Sequence, residues 1–316
     1  MTAIPISSIL ETQKDYFSPF SKWNESSWIR SKPFRIDSFS GLPFSPDLVP
    51  LTFHRAISED SNRWITVLAY KLLDHLQFTT LVELSYVNPI CTDLALGKAP
   101  IALTTEQRND ALRIYCDEGG HALFIETLST QAEIAFGINR SVLGRPKYDL
   151  TVQKLLASHQ TQLSPNLIKL FFVCITETLY VGTFSNVPHD VQVAPVVRAV
   201  ISDHIADEAL HYVYFRNLFP SLWSSLSPWE KEEIGQLLPL LVRAFLEPDR
   251  QCDYNILRKL NFAAKDADGI LEEVYAPGKI AEVLKQAAKP ALKMFEAADV
   301  FLIPSVKQAF ENYELT

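Results

Sequence analysis

Glycine is scarce in this chain, with 10 residues in 316 against an ordinary usage of about 7%. A fold made of many tight turns needs more glycine than that, so a turn-rich β architecture is excluded and long helices are favoured. Cysteine is equally thin. Cys91, Cys116, Cys174 and Cys252 form no C-x-x-C pair, which argues against a disulfide framework and for reduced thiols. Positive charge is not in excess: 29 Lys and Arg face 37 Asp and Glu, a net charge of −8, so there is no electrostatic footprint for nucleic acid. No apolar run is long and unbroken. The most apolar long window, Leu167 to Phe184, contains Lys169 and, at its middle, Glu177, and an ionised central Glu excludes a membrane span. Met1 to Leu10 lacks a basic segment followed by a long apolar stretch. No secretory signal is read there, and a cytoplasmic location is expected.

What is present is a core-forming balance of 47% hydrophobic and 21% charged residues, without low-complexity tracts, linkers or a convincing strand pattern. A single all-α domain is expected over 1–316. Its parts are an extended arm to residue 55, a helical core over 56–220 and additional helices over 221–316. The arm is rich in Pro, Ser and aromatics, and Trp23, Trp28 and several Phe need burial on the main body.

Within the core lies a doubled pattern of chemically demanding residues. Glu83 is followed after 33 intervening residues by Asp117-Glu118-Gly119-Gly120-His121, and Glu177 after 29 by Asp207-Glu208-Ala209-Leu210-His211. A Glu on each of two helices and a Glu-x-x-His on each of two others is how a four-helix bundle holds a carboxylate-bridged pair of iron or manganese ions. Residues three apart share a helix face, so each Glu and its His can aim inward together. Glu83-Leu84-Ser85-Tyr86-Val87 echoes Glu177-Thr178-Leu179-Tyr180-Val181, as if a helix pair had been duplicated about a pseudo-two-fold axis.

The flanking residues predict the helices. The first begins near Asp60 and runs through Glu83 to about Pro89; Thr104 caps the next, which continues past His121 to Phe136. A turn-rich stretch follows to Tyr148. Ser164-Pro165 opens the helix of Glu177, and that of Glu208 spans about Val191 to Leu218, with Pro195 tolerated in its first turns. Ser227-Pro228 starts another helix, and two more occupy about 278–296 and 298–312.

Each residue has a bland alternative. Glu118 and Glu208 taken singly are ordinary surface residues; the doubled pattern raises them to metal ligands. Glu83 and Glu177 sit in apolar surroundings, where an unpartnered charge is too costly. The four carboxylates balance two divalent ions, and oxygen ligands with imidazole suit iron, or iron with manganese, better than zinc. His204, four residues before Glu208 and seven before His211, falls within an arc of roughly 60° with them at ~100° per residue. Spacing alone leaves it open between a metal ligand and a buried histidine beside the site. Asp117 and Asp207 point about 100° from the adjacent Glu. Each can accept a hydrogen bond from a ligand imidazole on a neighbouring helix, or face solvent. Tyr86 and Tyr180, three residues after Glu83 and Glu177, line the cavity, donate to ligands or simply pack. His54, His75, His159 and His189 have no comparable context.

With its seven positions Glu83, Glu118, His121, Glu177, His204, Glu208 and His211, the chain resembles the aureothin-type p-aminobenzoate N-oxygenases. The resemblance covers about residues 55 to 220. It implies a ferritin-like four-helix bundle holding two iron ions, His204 as a seventh ligand, and O₂-dependent oxidation of a primary amine to hydroxylamine, nitroso or nitro product in natural-product biosynthesis. The amine is an arylamine or an amino acid, free or carrier-bound, and an external donor supplies electrons. Oligomeric state is open, a homodimer included. The competing readings are another O₂-activating di-metal enzyme (hydroxylase, desaturase or radical-generating subunit) and an iron-storage protein. His204 counts against the first, and a chain about twice the length of a minimal bundle against the second.

Overall fold

The computed structural model describes residues 16–158 and 163–316; His159 and the first part of the arm lie outside them. Two single-turn helices, α1 (Trp23–Ser26) and α2 (Trp28–Ser31), precede a third short one, α3 (Arg55–Ser58). Then come α4 (Ser61–Val82), α5 (Asn88–Ala95), α6 (Thr105–Phe136), α7 (Lys147–Ser158), α8 (Pro165–Phe184) and α9 (Pro195–Ser225). The chain ends with α10 (Pro228–Leu246), α11 (Arg250–Lys259), α12 (Ala264–Val274), α13 (Pro277–Ala297) and α14 (Pro304–Asn312). Among the described residues the sole strand-like feature is an isolated parallel bridge between Leu42 and Val193. Gly41 permits it: its φ is +132°, and a Cβ there would lie 2.8 Å from the Gln192 carbonyl oxygen.

The four longest helices of the first two-thirds, α4, α6, α8 and α9, form the all-α ferritin-like bundle. Helices α6 and α9 run antiparallel, since Gln107 meets Tyr214 while His121 meets Asp207. Local chemistry sets the ends. Thr104 and Gln107 form a reciprocal capping box at the start of α6, and Gly137, at φ 62°, closes it in the left-handed region. Ser227 and Glu230 form the same box on α10. Ser164 precedes Pro165 as expected, but its side chain makes no capping bond.

Four boundaries differ from the sequence reading: the last helix, expected over 298–312, begins at Pro304 after a separate 3₁₀ turn at Val300–Leu302, and the other three lie in the bundle. The first bundle helix does not stop at Pro89. A π-helical turn, Glu83–Val87, joins α4 to α5, with the Asn88 N–H bonded to the Glu83 carbonyl five residues back. The widened turn accommodates Pro89, whose ring would clash with the carbonyl four residues earlier in a regular α-helix. Helix α9 begins at Pro195 and runs to Ser225, past the expected Leu218, and carries Pro220 in its interior. Helices α7, α11 and α12 were not marked by patterning. The last two are 10 and 11 residues long and bury four and three residues each, too few to establish a period.

The arm is only partly extended. Phe20, Trp28 and Phe44 are buried as expected, whereas Phe17 and Phe53 are exposed at 84% and 67%. Two apolar clusters divide the bundle along its length. One contains Ile114, Phe171, Tyr214 and Phe215; the other contains Leu72, Leu76, Phe124, Val200 and Ile201. The Glu and His residues of α6 and α9 fall between them, so a polar waist is sealed by an apolar layer at each end. No described helix is long and apolar enough to cross a membrane.

The C-terminal helices α10 and α14 pack against each other at close quarters. A Cβ on Gly235 of α10 would lie 2.3 Å from Val306 Cγ2 of α14. Gly235→Ala is therefore expected to lower stability by roughly 1–3 kcal/mol through overpacking, despite alanine's better helix propensity. Adding Val306→Ala should recover most of the loss. Urea unfolding measures this, and an unchanged midpoint in the single variant would show that α14 does not pack so tightly.

Candidate metal centre

The seven sequence-predicted ligand residues are all brought together, and all are buried: Glu118, His121 and His211 are 0% exposed, and Glu83, Glu177, His204 and Glu208 are 3%. They form two overlapping groups whose potential ligand atoms lie within 4.8 Å of one another. Glu83, Glu118, His121, His204 and Glu208 make one group; Glu118, Glu177, Glu208 and His211 make the other. Glu118 and Glu208 belong to both, so the geometry is that of two adjacent sites sharing two carboxylates, with the extra imidazole on one side. His121 Nδ1 lies 3.0 Å from Glu118 and 3.4 Å from Glu208. His211 Nδ1 lies 3.4 Å from each of Glu118 and Glu208 and 3.6 Å from Glu177. His204 faces the same centre through its other nitrogen, with Nε2 at 2.9 Å from Glu83 and 3.0 Å from Glu208.

The opposite edge of each imidazole is held as well. His121 Nε2 stands 3.3 Å from Asp207, and His211 Nε2 stands 3.4 Å from Asp117. Each aspartate thus serves the histidine of the other helix, the crossed arrangement that their 100° offset from Glu208 and Glu118 allows. With Nε2–H donated to a carboxylate, loss of the other ring proton leaves the Nδ1 lone pair facing the centre. His204 Nδ1 lies 3.0 Å from the Tyr180 hydroxyl, which is 3.4 Å from His75 Nε2. Tyr86, by contrast, is not brought to the cluster. Its hydroxyl turns to Asp149 at 2.5 Å and accepts from Gln153. The π-turn that begins at Glu83 is the reason, since it changes the angle between a Glu and the residue three further on.

Sequence reasoning missed the arm's part in this centre. The Trp23 indole N–H donates to Asp117 at 2.8 Å, and the Trp28 backbone N–H donates to Asp207 at 3.0 Å. Phe20 packs beside His211 with ring centroids 6.1 Å apart. Gly120 makes the approach fit, for a Cβ there would already lie 3.3 Å from Trp28 and Ile29 atoms. The glycine inside the first Glu-x-x-His, with Leu210 at the matching place in the second, was a readable sign that something packs there. His75 was also passed over, although it lies eight residues, just over two turns, before Glu83. His54 caps α3 and meets Glu273 at 3.3 Å, and His189 is exposed; neither approaches the centre.

The electrostatics describe a cavity short of positive charge. Burial, then the charge of Glu118, pushes Glu83 up to about 7. Burial, then Glu208, holds Glu177 well above the carboxylate range. Burial opposes a charge on His121 and His211, yet the surrounding carboxylates prevail and hold both well above the imidazole range. Burial also opposes charge on Glu208, but His211, His121 and His204 hold it well below its usual value. His75, away from these carboxylates, is pushed down by burial to about 3 and stays neutral. Among the described residues, five of the eight buried polar side-chain atoms without a hydrogen-bond partner lie in the cluster: both Glu83 oxygens, Glu118 Oε1, Glu177 Oε2 and His211 Nδ1. Glu83 Oε1 is close to His204 Nε2, but not aligned for a hydrogen bond. Orphaned buried acceptors cost about 1–3 kcal/mol each, and cations are what this donor set lacks. Glu and His with no thiolate suit iron, so the residues fit a dinuclear iron centre.

An all-α bundle with two carboxylate-sharing Glu/His sites at its waist defines the class of O₂-using dinuclear carboxylate proteins. The chain matches the family model described as P-aminobenzoate N-oxygenase AurF over residues 32–299. It belongs to that family, whose members are non-haem di-iron N-oxygenases. No curated protein is found to match it.

Metal removal should reveal the repulsion at the centre. A carboxyl raised from 4.5 to about 7 binds more protons folded than unfolded, so its contribution to stability is present at low pH and lost as pH rises through 7. The raised imidazoles act in the same direction. For Glu83 alone the loss is about 3 kcal/mol. The metal-free protein is expected to melt at falling temperature between pH 5 and 8, while stabilisation by added Fe²⁺ grows over that interval as metal displaces protons. Anaerobic thermal melts check this, and a pH-independent metal-free protein would mean that the carboxylates are not gathered in the core.

Trp23→Phe keeps the ring's packing and deletes its one donor to Asp117. Loosening the partner of a ligand histidine commonly costs 10–100-fold in metal affinity. A loss of about 10-fold, at the lower end, is expected in chelator competition, with melting of the metal-free protein little changed. Retention equal to the unsubstituted protein would make the contact incidental.

Proposed function

We propose that Glu83, Glu118, His121, Glu177, His204, Glu208 and His211 would hold two irons, Glu118 and Glu208 belonging to both ligand groups, and that the protein inserts one oxygen atom of O₂ into the N–H bond of a primary amine. The observation that carries this reading is the pair of overlapping ligand groups, five-membered and four-membered. It matches a dinuclear centre with one extra imidazole. The first step balances as amine plus O₂, two electrons and two protons giving hydroxylamine and water. Reduced iron bound at the centre supplies the Lewis acidity and the electrons that activate O₂. An external donor renews them.

The protein's own residues set the conditions. Asp207 and Asp117 hold the Nε2 protons of His121 and His211, so that Nδ1 of each stays free to bind. For His204 to bind through Nε2, its proton must sit on Nδ1 and be donated to the Tyr180 hydroxyl, whose own proton then faces the neutral His75. That chain fixes the tautomer of the seventh ligand. Phe20, Trp23 and Trp28 cover the histidine side and exclude water from it.

The amine itself, arylamine or amino acid and free or carrier-bound, is not chosen by the ligands, and neither is the final oxidation level of the nitrogen. One chain holds the whole ligand set, so the centre does not require a homodimer. Free cysteines, three of them buried, suit a cytoplasmic location in a natural-product pathway. Metal analysis separates two irons from a mixed manganese–iron pair.

The reading is tested by supplying iron-loaded protein with ¹⁸O₂, a chemical reductant and an arylamine. Mass spectrometry should find one labelled oxygen on nitrogen. His204→Ala should retain most of its iron, because four carboxylates and both Glu-x-x-His pairs remain, yet lose at least 10-fold in turnover as one coordination position opens to water. Label on carbon, or none, would remove the N-oxygenase reading. Unchanged turnover and iron spectra in the variant would remove His204 from the ligand set.

A further inference from the structure

On the side of the centre opposite Trp23 and Trp28, a cavity of about 220 Å³ lies between α4, α7, α8, the end of α10 and the arm residues Phe44 and Leu48. A small recess lies against Glu83, Glu177, Glu208 and Tyr180. Phe78 and Phe245 line both the recess and the cavity, and their rings meet edge to face with centroids 5.3 Å apart. These two rings are therefore the partition between the cavity and the carboxylates. The cavity is otherwise walled by further rings, among them Phe44, Tyr148 and Phe184. The neutral His75 stacks within it, 4.0 Å from Phe184 and 5.7 Å from Phe44.

Its charged wall residues are already spoken for. Lys71 is bound to Asp74 at 2.6 Å and to Asp253 at 3.0 Å. Lys147 Nζ is bound to Glu247 at 2.6 Å, Arg243 pairs with the other Glu247 oxygen at 2.5 Å, and Asp249 accepts from the Lys147 and Cys252 backbone N–H groups. Among the lining residues two lysines face three carboxylates, Asp74, Glu247 and Asp249, so the wall is one charge negative. A ligand carboxylate placed here would lose its hydration, find no unpaired cation and meet repulsion. The volume is also below the roughly 300–1,000 Å³ of drug-sized sites, which leaves little room for a carrier arm. A flat apolar ring, by contrast, finds stacking and edge contacts on several sides.

We infer that the substrate is a small arylamine without a carboxylate, bound with its ring in the aromatic cavity and its nitrogen directed past Phe78 and Phe245 to the centre. This rests on the N-oxygenase reading and narrows its substrate. Selection is by charge: an aminobenzoate is disfavoured because Glu247 and Asp74 occupy the lysines that would otherwise receive it.

The test compares p-anisidine with p-aminobenzoate on the iron-loaded enzyme, by anaerobic equilibrium binding and by turnover with O₂ and reductant. The inference expects p-anisidine to bind at least 10-fold more tightly and to have the larger kcat/KM. Glu247→Gln, which releases both Lys147 and Arg243, should shrink the preference at least 3-fold through the KM for p-aminobenzoate. Ala244→Leu, which fills the cavity, should weaken p-anisidine binding at least 5-fold without loss of iron. Equal or better binding of p-aminobenzoate, or an unaffected p-anisidine in Ala244→Leu, overturns the inference even if both amines are N-oxidised. Selective binding of p-anisidine with no oxidation of either amine leaves the cavity assignment standing and instead overturns the N-oxygenase reading.

Discussion

Four carboxylates confined in an apolar bundle repel one another, and the architecture around them answers that repulsion. An isolated buried charge is among the costliest things a fold can contain, and here Glu83, Glu118, Glu177 and Glu208 share one small space. Three imidazoles stand against them at about 3 Å to 4 Å, and two further carboxylates hold the far edges of two of those imidazoles. Imidazoles and hydrogen-bond donors are arranged in shells around these carboxylates. The apolar layers on either side of the waist raise the stakes, because low polarity strengthens every pairing and penalises every gap.

The centre consequently has two unlike faces. On one, the arm closes over His121 and His211 and supplies a donor to each supporting aspartate. On the other, aromatic side chains from α4 and α10 separate the carboxylates from a cavity. The asymmetry extends to the imidazoles. His121 and His211 present Nδ1 and lean on aspartates, while His204 presents Nε2 and leans on a tyrosine backed by a neutral histidine. The two halves of the sequence echo thus share their Glu and Glu-x-x-His positions and differ where the two faces of the cluster differ.

Much of this was legible because metal binding demands particular residue types at helical spacing. The convergence of the four Glu with His121 and His211, the crossed aspartates and the caps at Thr104 and Ser227 follow from rules that act within a few residues, whereas spacing left His204 open and only the resemblance pointed to it. The rest depended on long-range or weakly patterned information. Tyr86 and Tyr180 occupy the same place in the sequence echo, yet the π-turn after Glu83 sends the first to Asp149 and leaves α8, regular at this point, to bring the second to His204. No residue between Glu83 and Pro89 announces that turn except the proline it accommodates. Trp23 meets Asp117 across 94 positions, a contact no periodicity reports. Helices α11 and α12 were hidden for a simpler reason: each buries too few residues to set up a repeat.

The arm raises a question of where the working unit begins. The family match starts at residue 32, whereas Phe20, Trp23 and Trp28 all precede it. A chain trimmed to the shared span would retain every carboxylate and imidazole of the centre. It would deprive Asp117 and Asp207 of the donors that the arm supplies, leaving each with its histidine alone, and uncover the histidine face. The boundary drawn by kinship and the boundary drawn by chemistry thus fall at different places, separated by a segment that touches none of the proposed irons but governs how their ligands are held.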